Sequence, residues 1–199
     1  MNAATTLLQM AGVTSAPAKL SAAIVVIIDA QNEYVTGRLP LTGIEPALAR
    51  IADLLAAARA AGAPIVHVAQ RGRAGGLFDP ETPNFKFADA AAPHEGEAVI
   101  EKPLPNSFAK TELAAKLAAV GRKSLVVAGF MTHMCVSATT RSALDHGYGV
   151  TLAADACATR DLPDPLGGPD LIAEQIHRIA LAELADRFAC IARVADIKA

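Results

Sequence analysis

Two runs of apolar, largely β-branched residues constrain this chain most: AIVVII, Ala23 to Ile28, and LVVA, Leu125 to Ala128. Neither alternates apolar with polar residues, as a strand with one wet face would. Uninterrupted runs of this kind read as strands covered on both faces, the pattern of a parallel sheet. Each ends at a residue of chemical or conformational interest. Asp29 ends the first, and Gly129 is expected to break the second.

The rest of the chain supplies matching pieces. PIVHVAQ, AVIEK, GVTLAADACATR and RFACIARV read as further strands. A helix over Glu45–Ala61 has Ile44, Leu48, Ile51, Leu54 and Leu55 as its apolar stripe and Gly62 as its stop. Ser107 is expected to open another, with Leu113, Leu117 and Val120 on its buried side, and a long helix covers Leu171–Ala185. Strands alternating with helices predict an α/β class: a Rossmann-like, three-layer α/β/α domain around a six-stranded, mostly parallel sheet. The domain is expected over residues 23–199. Residues 1–22 read as a loosely ordered segment, without the basic start of a signal peptide.

Composition excludes some partners. A net charge of -2 gives no electrostatic case for nucleic acid, and no uncharged apolar run is long enough to cross a bilayer. Three cysteines without regular spacing make neither a disulfide framework nor a zinc site. They suggest a reducing compartment, hence a cytoplasmic protein acting on a small molecule.

The informative cysteine is Cys135. It lies six residues after Gly129, where Val136, Thr139, Thr140, Ala143 and Leu144 begin to fall on one helical face and Gly147 caps the end. A helix start carries unpaired N–H groups that favour a thiolate and can receive an oxyanion. A buried structural cysteine is the alternative. Asp29 can be a ligand-facing acid at a central strand end or a turn residue. Lys102 is held at a strand end by Pro103 and Pro105, which forbid helix. The topology brings these three to one edge of the sheet.

Other candidates are weaker. Gln70 and Arg71 end the second strand and could face a site. The Gly72–Glu97 stretch is irregular, and its Leu77, Phe78, Phe85 and Phe87 could line a pocket, pin the loop to the core or meet another subunit. Arg71, Arg73 and Lys86 could meet an anion. His67, His177, Asp155, Cys157 and Cys190 read as core, cap or turn residues. His133 should point away from the thiol.

The residues then carry a family. IVVIIDAQNEY with Asp29, EKPLPNSF with Lys102, and GFMTHMCVSATTRSALDHGYGVTLAADA with Cys135 resemble the isochorismatase-like cysteine hydrolases, which include nicotinamidases and amidohydrolases of small ureides. The resemblance runs from about Ala23 to the C-terminus. It implies an Asp29–Lys102–Cys135 triad, with Cys135 as nucleophile, Asp29 as general base and acid, and Lys102 as the cation holding both. It also implies a cis Phe130–Met131 bond, an oxyanion hole of the Met131 and Cys135 N–H groups, and a homo-oligomer, dimer or tetramer. Substrate contacts are expected from Gln31, Tyr34, Arg71, Phe130 and Thr132.

One departure is informative. No histidine lies between Asp29 and Gly62, where metal-binding nicotinamidases resemble one another in a histidine cluster. No metal and no cofactor are therefore expected. The function implied is hydrolysis of a non-peptide C–N bond in a small amide, ureide or carbamoyl compound through a thioester. The rivals are an isochorismatase-type ether hydrolase using Asp29 as an acid, and an idle or redox-sensing thiol scaffold.

Overall fold

A computed structural model describes residues 3–199. β1 (Ala23–Ile28) is buried at every residue, as its composition demands. It pairs in parallel with β2 (Ile65–Gln70) on one side and β4 (Ser124–Phe130) on the other. β3 (Ala98–Lys102) adds outside β2, while β5 (Gly149–Ala158) and β6 (Ala189–Ala192) add outside β4. The six strands run in the order β3-β2-β1-β4-β5-β6 and are parallel throughout, as the expected α/β class requires. That order reverses between β1 and β4, the switch point at which open α/β sheets hold ligands.

Side chains alternate across the sheet and define its two covering layers. Val25 and Ile27 pack with Leu48, Ile51 and Leu55 of α2 (Ile44–Ala60). Ile24, Val26 and Ile28 face the other way. They join Leu113 and Leu117 of α3 (Leu113–Val120), Ala143 of α4 (Ser137–Asp145) and Leu184 of α5 (Ala173–Arg187). Each fully buried Leu or Ile contributes roughly 1.5–3 kcal/mol of transfer free energy. The segment ahead of β1 carries α1 (Leu7–Met10), closed by a capping box at Thr6, and the Leu7 N–H bonds Asp186 Oδ1. Among the described residues no helix is long and apolar enough to cross a membrane.

Several element boundaries differ from expectation. α3 begins at Leu113, not Ser107, because the Ser107 N–H and hydroxyl are both engaged by Thr139. Val120 is exposed at the end of that helix. Asp155 lies inside β5, where its Oδ1 accepts the Val194 N–H. Cys190 is only half-buried.

The irregular loop from Gly72 to Glu97 is strapped to the segment that follows β1. The Asn32 N–H bonds Lys86 O at 2.9 Å, and the Ala88 N–H bonds Ala30 O at 2.8 Å. Phe78 is buried edge-on against Tyr34, with ring centroids 5.1 Å apart, and Phe87 meets His67 at 5.6 Å. The aromatic rings therefore pin the loop, and only Leu77 of the four apolar residues is exposed. His67 is a core residue whose Nε2 lies 2.8 Å from Glu97, which also takes the Arg59 guanidinium, while its Nδ1 is buried without a partner.

Gly129 does not end its strand; it stays within β4 at φ 118°. A Cβ there would lie 2.0 Å from Ile28 O, inside the backbone of β1. The β4–β5 register also shifts between Val127 and Gly129. Gly147, after α4, has φ 76° and open space around it. Gly147→Ala should thus cost only the left-handed penalty of about 1–2 kcal/mol. Gly129→Ala adds an unrelievable backbone clash and should cost more than about 4 kcal/mol. Urea unfolding of the two variants checks this, and equal losses would contradict the close approach.

Candidate active site

Three strand ends meet here. Lys102 is the last residue of β3, Asp29 follows β1, and Cys135 follows β4. Lys102 starts two strands away from Asp29, roughly 9–10 Å at ordinary strand spacing. Its four-carbon stem crosses the end of β2 to close that gap. The ammonium ends 2.8 Å from Asp29 Oδ2, 3.3 Å from Cys135 Sγ and 2.6 Å from Gln70 Oε1. An ammonium has three donors, and here it has three neighbours. Lys102 and Asp29 are fully buried and Cys135 is 5% exposed.

Local backbone aims these groups. Asp29 sits at φ 52°, a left-handed conformation that Asp tolerates better than most residues, with its N–H on Val68 O. Cys135 does not open an α-helix as the sequence suggests. It lies in a π-helical turn, Thr132–Val136, that precedes α4. The Met134 and Val136 N–H groups both bond Met131 O, which folds the turn over the end of β4. The Phe130–Met131 peptide is cis. The Met131 N–H makes no hydrogen bond among the described residues.

Electrostatics follow from burial. Loss of water pushes the Asp29 carboxyl above its ordinary value; Lys102 and the Cys135 thiol oppose this without cancelling it. Burial and the Asp29 charge push the Cys135 thiol up to about 12, against the pull of Lys102. The thiol is thus the resting form of Cys135. One ammonium balances one negative charge, so the thiol and the carboxylate hold one proton between them. Among the described residues no group of three or more His, Cys, Asp or Glu could hold a metal ion.

The other candidates divide. Gln31 is buried, and both ends of its amide are spent on backbone: Nε2 donates to Gln70 O and Phe85 O, and Oε1 accepts the Gln70 N–H. It fixes the strand end and the loop and has no polar atom free for a substrate. Tyr34 is buried edge-on against Phe130 at 6.0 Å and lies within the fields of Asp29 and Cys135. Phe130 is fully buried as a wall beneath the site. The Thr132 hydroxyl donates to Ala158 O and so accepts from His177 Nδ1, 2.8 Å away. Arg71 is exposed and its guanidinium is paired with Glu101 at 2.6 Å, while its N–H bonds Lys102 O at 2.9 Å. Arg73 and Lys86 are exposed as well.

His133 turns from the thiol to the Thr159 hydroxyl, and burial with the nearby Arg160 charge pushes its pKa down. Gln70, read from sequence as a strand-end residue that could face a site, accepts a hydrogen bond from the Lys102 ammonium through Oε1. Arg160, two residues beyond the end of β5, was not singled out.

Comparison with known proteins identifies the family. The model of the isochorismatase domain matches residues 23–196. A secreted isochorismatase effector of Verticillium dahliae is 42% identical over 189 residues, 94% of this chain and 96% of the relative. A ureidoacrylate amidohydrolase of Methylobacterium radiotolerans is 30% identical over 210 aligned residues, 85% of this chain and 76% of the relative. The crystal structure of an isochorismatase from Pseudomonas putida superposes with a TM-score of 0.94 at 48% identity, covering 98% of this chain and 100% of that one. On the sheet order, the matched domain and these relatives, the chain belongs to the isochorismatase family and is a hydrolase.

Proposed function

We propose that the chain is a cysteine-dependent hydrolase of a non-peptide C–N bond in a small amide, ureide or carbamoyl compound. One observation carries the reading: the buried Lys102 ammonium is within 3.3 Å of both a carboxylate and a thiol. That is a nucleophile, a base and a shared counter-charge with no water between them.

The steps use this single shared proton. As Sγ bonds to the substrate carbonyl carbon, the thiol proton passes to Asp29. Lys102 then faces the sulfur, and the carbonyl oxygen gains a negative charge. The Met131 and Cys135 N–H groups receive that oxyanion; one such donor is worth about 3–4 kcal/mol. The C–N bond breaks as Asp29 returns the proton to the leaving nitrogen. Asp29, again a carboxylate, takes a proton from water, whose oxygen attacks the thioester. The acid leaves and the thiol is restored.

A second reading is favoured by one feature. Burial raises the proton affinity of the Asp29 carboxyl, the direction an acid catalyst of ether cleavage needs. In that reading Cys135 is dispensable. Cys135→Ala should keep the fold yet abolish hydrolysis, and mass spectrometry of the wild type on a slow amide should find an acyl adduct on Cys135. Full turnover by the variant, or an adduct on Cys157 or Cys190, would favour the acid reading or sink both.

The pH profile follows from the directions above. Asp29 must be ionised to act as base, and its pKa is raised, so kcat/KM should fall as pH drops through a midpoint above the ordinary 3.8. On the basic side activity should hold well past pH 8, because the thiol pKa is near 12 and the active pair is still singly protonated. A basic limb centred near 8.5 would show a free thiol instead.

Removing one charge at a time separates the roles. Asp29→Asn leaves Lys102 facing the thiol alone, so iodoacetamide labelling of Cys135 should be as fast as wild type or faster while turnover collapses. Lys102→Met should slow labelling by about tenfold or more. A buried carboxylate left unpaired costs about 3–5 kcal/mol, so the Asp29→Asn/Lys102→Met double variant, compared with Asp29→Asn, gives the same answer in a neutral background. Equal labelling of that pair would remove Lys102 from thiol activation.

A further inference from the structure

The turn that carries Cys135 is tied down at its first residue. Thr132 opens the π-helical turn Thr132–Val136 and is fully buried. Its Oγ1 lies 3.1 Å from Ala158 O and 2.8 Å from His177 Nδ1. A hydroxyl has one proton to give, and a carbonyl can only accept. Thr132 therefore donates to Ala158, and His177 donates to Thr132. Burial pushes the His177 pKa down, so the half-buried ring is neutral and carries a single proton. The Thr132 contact places that proton on Nδ1.

The two anchors belong to different elements. Ala158 ends β5, and His177 lies in the second turn of α5. The start of α5 is fixed in turn, since the Ala173 N–H bonds Asp161 Oδ1 at 2.7 Å. Thr132 directly follows Met131, whose N–H makes no hydrogen bond among the described residues and is an oxyanion donor in the mechanism above. Met131 O takes the Met134 and Val136 N–H groups, which sets the shape of the turn but not its placement over the site. A second tether, His133 to the Thr159 hydroxyl, reaches the β5 end and no helix. Among the described residues, the His177–Thr132 contact is the one hydrogen bond between this turn and α5.

We propose that His177 is a positioning residue for the oxyanion hole: its Nδ1–H, through the Thr132 hydroxyl, sets where the Met131 N–H points. It touches no reacting atom. What the hole receives rests on the hydrolase reading above; the clamp itself is measurable without turnover.

Two replacements separate the donor from the ring. His177→Phe keeps a ring and loses the Nδ1–H; His177→Asn loses the ring and keeps an N–H at the same branch of the side chain. Two reactions of Cys135 separate the hole from the thiol. Iodoacetamide alkylates sulfur at a saturated carbon and makes no oxyanion. Acetaldehyde adds reversibly: Sγ bonds to the carbonyl carbon, the thiol proton ends on the former carbonyl oxygen, nothing leaves, and that oxygen occupies the hole. Acetaldehyde should protect wild-type Cys135 from iodoacetamide, with peptide mapping to follow it apart from Cys157 and Cys190. His177→Phe should raise the half-protecting aldehyde concentration by about tenfold or more, with the iodoacetamide rate itself unchanged. On a hydrolysed amide it should lower kcat by a similar factor with KM little changed. His177→Asn should recover most of both. No protection of the wild type, equal protection in wild type and His177→Phe, slower iodoacetamide labelling in His177→Phe, or recovery by Phe in place of Asn would overturn the proposal. If His177→Phe does not fold, Thr132→Val cuts the same bond from its other end and decides by the same readouts. Weaker protection in His177→Phe without hydrolysis of any amide sinks the hydrolase reading alone; amide turnover and protection untouched by His177→Phe sink the clamp alone.

Discussion

A buried ammonium holds this site together. Lys102 has given up water entirely, and burial of a lone charge is too costly to persist. Its solvation shell is rebuilt from Asp29 Oδ2, Gln70 Oε1 and Cys135 Sγ. Each of these belongs to a different strand end, so the ion sets the level at which β1, β2, β3 and β4 must finish. The β2–β3 register that pairs Gln70 with Lys102 is therefore a condition of the chemistry as well as of the sheet.

The same ion explains why the thiol and the acid behave as a pair. Without Lys102, two buried acids would both stay protonated. With it, one negative charge is tolerated and a second is not. The reactive form is made by moving a proton a short way, not by releasing it to solvent. In the proposed mechanism, attack on a carbonyl carbon moves negative charge away from the sulfur toward backbone N–H groups, in buried surroundings where such interactions are strong.

Much of the fold was legible because the runs Ala23–Ile28 and Leu125–Ala128 leave a strand little choice. The meeting of Asp29, Lys102 and Cys135 was legible because all three sit at strand ends and match motifs. What escaped the sequence has physical reasons. Gly129 looks like a breaker, but it is a point of close approach between β4 and β1, which only the packed sheet reveals. Ser107 reads as a cap until Thr139, far along the chain, takes its hydrogen bonds. Gln31 has the look of a ligand and serves as a brace. The surroundings of Cys135 escaped as well, since the sequence suggests a helix start where the chain makes a π-helical turn, and burial, invisible in sequence, pushes the thiol up.

The edge position of β3 has a consequence for endurance. This strand has five residues and a single neighbour, β2. Edges open locally more readily than the centre of a sheet. The charge that completes the catalytic centre is thus mounted on one of the least protected strands of the molecule, while its partners are mounted on the best protected. As the protein is warmed, brief fraying of β3 withdraws the ammonium while β1 and β4 remain in place. Catalytic lifetime is then governed by a local opening at the rim, and the stability of the central core sets only its upper limit.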